Sequence, residues 1–172
     1  IAHTKIAYVS DKTRSKELYV MDYDGQNTMR ITADRSICLS PAWSPDGKKL
    51  YVAATTGRSL HVFDRNAEDG RLVPDFVIRL DTGADNIEVD NTGILYVACH
   101  PKLLDFTAHA GDKSKLSPSQ LLRIRIQSKE KYDVAEPYLN DGREMSASSV
   151  GAPFKGGFLM GQVFDDHVLI CR

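Results

Sequence analysis

Asp85 and Asn86 stand side by side in Gly83-Ala84-Asp85-Asn86-Ile87-Glu88-Val89-Asp90, and the string Tyr96-Val97-Ala98-Cys99-His100-Pro101 begins ten residues later. A carboxylate beside an amide at the head of a predicted strand offers hard oxygens. Such oxygens suit calcium, which takes about six to eight of them from carboxylates, amides and waters. The same pair is also a good turn former, because Asp and Asn side chains hydrogen-bond the local backbone. Spacing alone leaves both readings open. Other chemistries find less support. No Gly-x-Ser-x-Gly elbow presents a serine nucleophile, and no phosphate-binding glycine loop follows a strand. His3, His61, His109 and His167 have no metal-cluster spacing.

The elements that position this pair come from a chain of 172 residues, the size of one domain or of a piece of a larger one. Its 42% hydrophobic and 26% charged residues are globular values and argue against disorder. A net charge of −1, with no basic face or tail, argues against nucleic acid and anionic membrane as partners. Apolar runs such as Phe158-Leu159-Met160 are far too short to span a bilayer. No signal-peptide pattern is visible. Cys38, Cys99 and Cys171 are odd in number and lack metal spacing, which argues against a zinc site and allows at most one disulfide. Three reduced, partly buried thiols are the expected state.

Short β-type runs broken by turn residues dominate the chain, and they repeat. Lys5-Ile6-Ala7-Tyr8-Val9 matches Lys49-Leu50-Tyr51-Val52-Ala53 and Ile94-Leu95-Tyr96-Val97-Ala98, so the tyrosines lie 43 and 45 residues apart. A weaker fourth copy runs from Gly157 to Phe164. A second strand follows each copy, at Glu17–Asp22, Ser59–Asp64, Leu121–Ile126 and His167–Cys171, and a third run closes the first three at Thr28–Thr32, Asp75–Leu80 and Asp133–Tyr138. The turn before the repeating strand recurs as Ser44-Pro45-Asp46-Gly47, Asp90-Asn91-Thr92-Gly93 and Phe154-Lys155-Gly156-Gly157. Pro or Asn with a following Gly supplies hairpin dihedrals.

Four strands in about 43 to 45 residues is the period of a β-propeller blade. The expected fold is therefore all-β, with roughly three and a half four-stranded blades in the chain. The first blade is short of its innermost strand and the last of its outermost. An open arc exposes sheet faces and strand edges, so self-association is expected. Residues 101 to 118 interrupt the period. Leu103, Leu104 and Phe106 are expected on one face of a short helix there, either as a lid or binding loop or as a packed surface loop.

Two resemblances carry these patterns further. Residues 1 to about 48 resemble a blade of the TolB-type propeller, through Lys5–Asp11, Glu17–Gly25 and the specific string Leu39-Ser40-Pro41-Ala42-Trp43-Ser44-Pro45-Asp46-Gly47. That resemblance implies a periplasmic binding module without catalysis. Residues 44 to 172 resemble the C-terminal half of the paraoxonases. The carriers are Ser44–Lys48, Leu60–Phe63, Asp85–Asp90, Cys99-His100-Pro101, Ser119–Ile124, Ser148-Ser149-Val150 and Gly161-Gln162-Val163-Phe164. The two meet at Ser44-Pro45-Asp46-Gly47. Within one partial propeller domain, 1–172, residues 1–47 form the TolB-like segment and 48–172 the paraoxonase-like blades. This junction implies a chimera, engineered or selected.

The paraoxonase resemblance implies a calcium-dependent lactonase or arylesterase acting on a small lactone or ester, in which calcium polarises the carbonyl and stabilises the oxyanion. Asp85 and Asn86 match two of the family's metal ligands. His100 matches a histidine beside the site, read as catalytic, and Ser149 and Val163 match positions lining the substrate pocket. A further family Asn ligand falls where this chain has Leu39. The other ligands and the proposed proton-transfer histidines belong to N-terminal blades that are absent here. The resemblance thus implies an incomplete calcium site and little hydrolysis unless another chain supplies oxygens. The alternatives are a chimeric propeller scaffold without activity and a TolB-like protein-binding propeller. Cys171 matches a cysteine paired in the mammalian enzymes with an N-terminal partner that this chain lacks.

Overall fold

A computed structural model of the chain describes residues 5–33, 37–164 and 166–172. Antiparallel strands make up 54% of it and helix 6%, the strands lying in four sheets that follow chain order. The first holds β1 (Lys5–Ser10), β2 (Glu17–Asp22) and β3 (Met29–Arg30), and the second β4 (Cys38–Trp43), β5 (Lys49–Ala54), β6 (Ser59–Arg65) and β7 (Leu72–Arg79). The third holds β8 (Gly83–Val89), β9 (Leu95–His100), β10 (Ser119–Ser128) and β11 (Lys131–Asn140), and the fourth β12 (Ser148–Phe154), β13 (Gly157–Gln162) and β14 (Leu169–Cys171). One helix, α1 (Leu103–Gly111), lies between β9 and β10. The two middle sheets have the expected four strands. The repeating strand is β1, β5, β9 and β13.

Alternation along the repeating strand explains the stacking of sheets. Leu50, Val52 and Ala54 of β5 pack with Leu18 and Val20 of the first sheet, whereas Tyr51 and Ala53 pack with Ile87, Leu95 and Val97 of the third. Tyr96 of β9 turns the other way, toward Met145 and Met160 next to the fourth sheet. A strand covered on both faces reads as a continuous apolar run, which is why these segments stand out in the sequence. Cys99 lies in the core and Cys171 is half-buried; both are free thiols. His3 and the side chains of Cys38 and Leu39 lie outside the described residues.

Two elements depart from expectation. The third strand of the first sheet is only Met29–Arg30, because Thr32 does not continue the ladder. Its hydroxyl accepts the Leu18 N–H at 2.9 Å and donates to the fully buried Glu17 carboxylate at 2.5 Å. A side-chain oxygen has replaced the backbone acceptor. In the insertion the helix is present, but its inward face is Leu103, Phe106 and His109. Leu104 is 85% exposed, since neighbouring helical positions point about 100° apart.

Candidate functional site

The inner strands of the last three sheets are each irregular at the same end. In β8, Ala84 pairs with Cys99 and Ile87 with Val97, so Asp85 and Asn86 together oppose Ala98. In β4, Leu39 pairs with Ala53 and Ala42 with Tyr51, so Ser40 and Pro41 oppose Val52. In β12, Ser148 pairs with Gln162 and Val150 with Gly161, leaving Ser149 extra. A bulge of this kind leaves residues out of the ladder and re-aims their side chains. Ser40 sits at φ +47°, a left-handed conformation uncommon for a residue with a side chain.

The re-aimed side chains join into one chain of hydrogen bonds. Ser40 Oγ donates to Asn86 Oδ1, and Asn86 Nδ2 donates to Ser149 Oγ at 2.9 Å. Ser149 Oγ donates in turn to Asp85 Oδ2 at 3.1 Å, and His100 Nε2 lies 3.4 Å from that same oxygen. Residues from three sheets thus meet around the Asp85-Asn86 bulge. The turn reading of Asp85-Asn86 does not hold: both lie within strand β8. His100 is 1% exposed, with its ring stacked on Phe106 at 3.8 Å between centroids, and its Nδ1 has no hydrogen-bond partner among the described residues. With a proton on Nε2 the ring donates to the Asp85 carboxylate.

Two supports hold the cluster in place. Helix α1 covers it: Leu103 packs over Gly83, where a Cβ would come within 2.5 Å of Leu103 Cδ2, and Phe106 covers His100. His109 anchors the far end, with Nδ1 2.5 Å from the Lys115 carbonyl and its ring against Phe164. The second support is a buried serine ladder between the third and fourth sheets. Ser117 N–H donates to Ser146 Oγ (2.8 Å), Ser148 N–H to Ser119 Oγ (2.9 Å) and Gln120 N–H to Ser148 Oγ (3.1 Å). These bonds fix the start of β12, and therefore Ser149, against the strand that leads from α1.

Of the residues singled out in the sequence, Asp85, Asn86, His100 and Ser149 are brought together. Val163 takes no part in the hydrogen-bonded chain. It follows Gln162, the partner of Ser148, so it lies at the same end of the fourth sheet, 40% exposed, with its N–H donated to the Ala147 carbonyl. Ser40 escaped notice in the sequence. The recurring turn marks it, for Ser40 precedes Ser44 by the same four residues that separate Asn86 from Asp90.

The cluster does not by itself fit a calcium shell. It offers one carboxylate and one amide, with two serine hydroxyls engaged in hydrogen bonds, against the roughly six to eight oxygens the ion takes. Among the described residues, no group of three or more His, Cys, Asp and Glu is placed to hold a metal ion.

The arylesterase family model matches residues 7–172. The chain belongs to the arylesterase family. Serum paraoxonase/arylesterase 1 of Rattus norvegicus is 32% identical over 166 residues, covering 92% of this chain and 45% of that protein. The family likeness therefore reaches back through the first sheet. The Tol-Pal system protein TolB of Geobacter sulfurreducens is 54% identical over 46 residues, 27% of this chain and 11% of that protein. So high an identity over so short a span stands beside the family membership and is consistent with a chimera. Among solved structures, an oligogalacturonate lyase from Vibrio parahaemolyticus superposes with a TM-score of 0.58 at 11% identity, over 94% of this chain and 44% of that one. At that identity the likeness speaks to the propeller-type fold alone. The chain spans less than half the length of the curated relatives it matches.

Proposed function

We propose that this chain supplies part of a paraoxonase-like arylesterase or lactonase site on a partial β-propeller of three and a half blades. Asp85 and Asn86 are its metal-facing oxygens, and His100 is its proton-handling group. The observation that carries this reading is the convergence of three inner-strand bulges on Asp85-Asn86, with His100 against Asp85. An acid-base role suits a histidine held between a carboxylate and an aromatic face, out of bulk water. Ser149 and Val163 would line the place of a small ester or lactone. The two calcium ligands of this chain leave about four positions to be filled by water or by another chain, so calcium binding by the isolated chain is weak and turnover low.

Self-association belongs to the same proposal. A second copy covering the open sheet edges would also be the nearest source of further oxygens. Light scattering distinguishes a monomer from an assembled ring. Calcium calorimetry, run with aryl-acetate and lactone turnover, tests the site. Weak calcium heat and slow hydrolysis, both abolished by Asp85→Asn, are the expected results.

The second reading, a chimeric propeller scaffold without activity, is favoured by the shortage of metal oxygens. Absence of calcium heat and of hydrolysis in every assembled form would leave that reading standing. A TolB-like binding role would rest on likeness over 46 to 70 residues, less than half of the chain.

A further inference from the structure

At the opposite end of the sheets from Asp85 the stacked sheets leave clefts, and two of these are equivalent by the repeat. The first, about 420 Å³, lies between the second and third sheets and runs from Tyr51 to the Asn91-Thr92-Gly93 turn. The second, about 400 Å³, lies between the third and fourth sheets and runs from Tyr96 to the Lys155-Gly156 turn. Size and backbone are shared. Charge is not.

In the first cleft every lysine is compensated. Lys49 Nζ is 2.6 Å from Asp64 and 2.9 Å from Asp75, and Lys48 Nζ is 3.7 Å from Asp46. The second cleft is lined by the side chains of Arg123, Lys155 and Arg172 and by no acidic side chain. Among the described residues none of these three cations has an ion-pair partner. Directly across the strands from Arg123 stand Tyr96 and Ala135, and the diagonal carboxylate, Asp133, accepts from Gln127 Nε2 at 3.0 Å.

The walls of the second cleft are flat and apolar. Tyr96 and Phe158 reach it from the core between the third and fourth sheets, and Phe154, Pro137 and Pro153 complete it. Its rim is also fixed. Lys155 and Gly156 form a two-residue hairpin turn with φ of +46° and +83°, and the lysine ammonium lies 5.0 Å above the Phe154 ring. Gly157 admits the β14 backbone so closely that a Cβ there would fall 1.9 Å from the Cys171 carbonyl oxygen, which holds Arg172 beside the turn. Low-dielectric walls around charges of one sign focus their field on the space between them. A guanidinium presents paired donors that match a carboxylate, and aromatic walls accept a flat apolar body.

From this we infer that the cleft between the third and fourth sheets is a binding site for a small aromatic carboxylate, with Arg123 and Lys155 holding the anion and Tyr96, Phe154 and Phe158 the ring. It is separate from the Asp85 cluster. Ser149 and Phe154 lie five residues apart along β12, about 17 Å in an extended strand. The site therefore does not depend on the hydrolase reading.

Benzoate titrated into the full chain, followed by calorimetry and by ligand-observed NMR, tests it without reference to hydrolysis. Benzoate binds at one site per chain, benzyl alcohol at the same concentrations does not, and added salt weakens the binding. Arg123→Gln and Lys155→Gln each reduce affinity, and together they reduce it by at least about tenfold, the loss expected for charge-assisted hydrogen bonds. Lys48→Gln, at the equivalent cleft, leaves it unchanged. All three side chains are exposed, and unaltered circular dichroism confirms the fold of each variant. No binding of benzoate, equal binding of benzyl alcohol, or undiminished binding by the double variant would overturn the proposal.

Discussion

Ser149 Oγ donates to Asp85 Oδ2 at 3.1 Å while accepting from Asn86 Nδ2 at 2.9 Å, so one hydroxyl on β12 clasps both side chains of the β8 bulge. Ser149→Ala removes both bonds and leaves a buried carboxylate and a half-buried amide short of partners. The expected cost is about 1–3 kcal/mol, the penalty for unsatisfied polar groups. Ser149→Thr, which keeps the hydroxyl, recovers most of it. Urea midpoints of the three proteins measure this. An alanine variant as stable as the parent would show that the clasp contributes nothing.

Acid stability depends on the hairpin aspartates. Burial opposes charge on Asp90, but bonds from the Thr92 hydroxyl (2.7 Å), the Ile94 N–H (2.9 Å) and the Thr92 N–H (2.8 Å) outweigh it and hold the carboxyl below its ordinary range. At the equivalent turn the Ser44 hydroxyl, 2.7 Å away, and then the Lys48 N–H do the same for Asp46. A folded pKa below the unfolded one means that the unfolded chain takes up protons first. The contribution is therefore complete above the ordinary carboxylate pKa and is lost as pH falls through the depressed folded value. Asp90→Asn should lower the urea midpoint at pH 7 and flatten its decline below about pH 4. Midpoints across that range, with a parallel curve for the variant as the contrary result, decide the matter.

Gly83 and Leu103 set the seat of α1. An alanine Cβ at position 83 would lie 2.5 Å from Leu103 Cδ2 and 3.3 Å from the Thr55 carbonyl oxygen. Gly83→Ala should lift the helix from His100 at a cost of roughly 1–3 kcal/mol for overpacking. Faster amide exchange confined to residues 103–111 is the expected signature. Exchange unchanged there would mean that Leu103 simply rotates aside.

The described thiols differ in access. Burial pushes the Cys99 thiol far above its ordinary pKa, and Cys99 is fully covered. Cys171 is half-buried on β14, and its thiol is raised too, by burial and then by the Glu144 charge. Alkylation of the native chain followed by peptide mapping should label Cys171 slowly and Cys99 only after unfolding. Native labelling of Cys99 at the rate of Cys171 would contradict the packing described.

Sheet order was legible because both faces of β5 and β9 are covered, so Tyr51 and Tyr96 sit in matching apolar strings, which Tyr8 repeats on the more open β1. The Asp85-Asn86 pair was legible from residue type, and His100 from its resemblance. The bulges were not. A bulge is a property of register between two strands, and serine as a residue type does not announce it; only its distance from the recurring turn marks Ser40. The serine ladder was hidden for a related reason: Ser117, Ser119, Ser146 and Ser148 are loop-type residues until long-range pairing buries them. Leu104 misled because three apolar residues in four positions do not fix which of them faces inward.

The bulge recurs near the start of β4, β8 and β12, one or two residues inside the strand, and this separates architecture from chemistry. Each of these three sheets offers the same end of the stack a short slot whose backbone is already bent to present whatever side chain is written there. The slots now read Ser, Asp-Asn and Ser. Exchanging a sheet rewrites one letter of this three-part inscription without touching the hydrophobic grammar that stacks the sheets. Ser40 is thus the slot through which the surroundings of Asn86 can be changed: Ser40→Asn or Ser40→Asp alters the side chain offered to Asn86 while the sheet around it stays as it is.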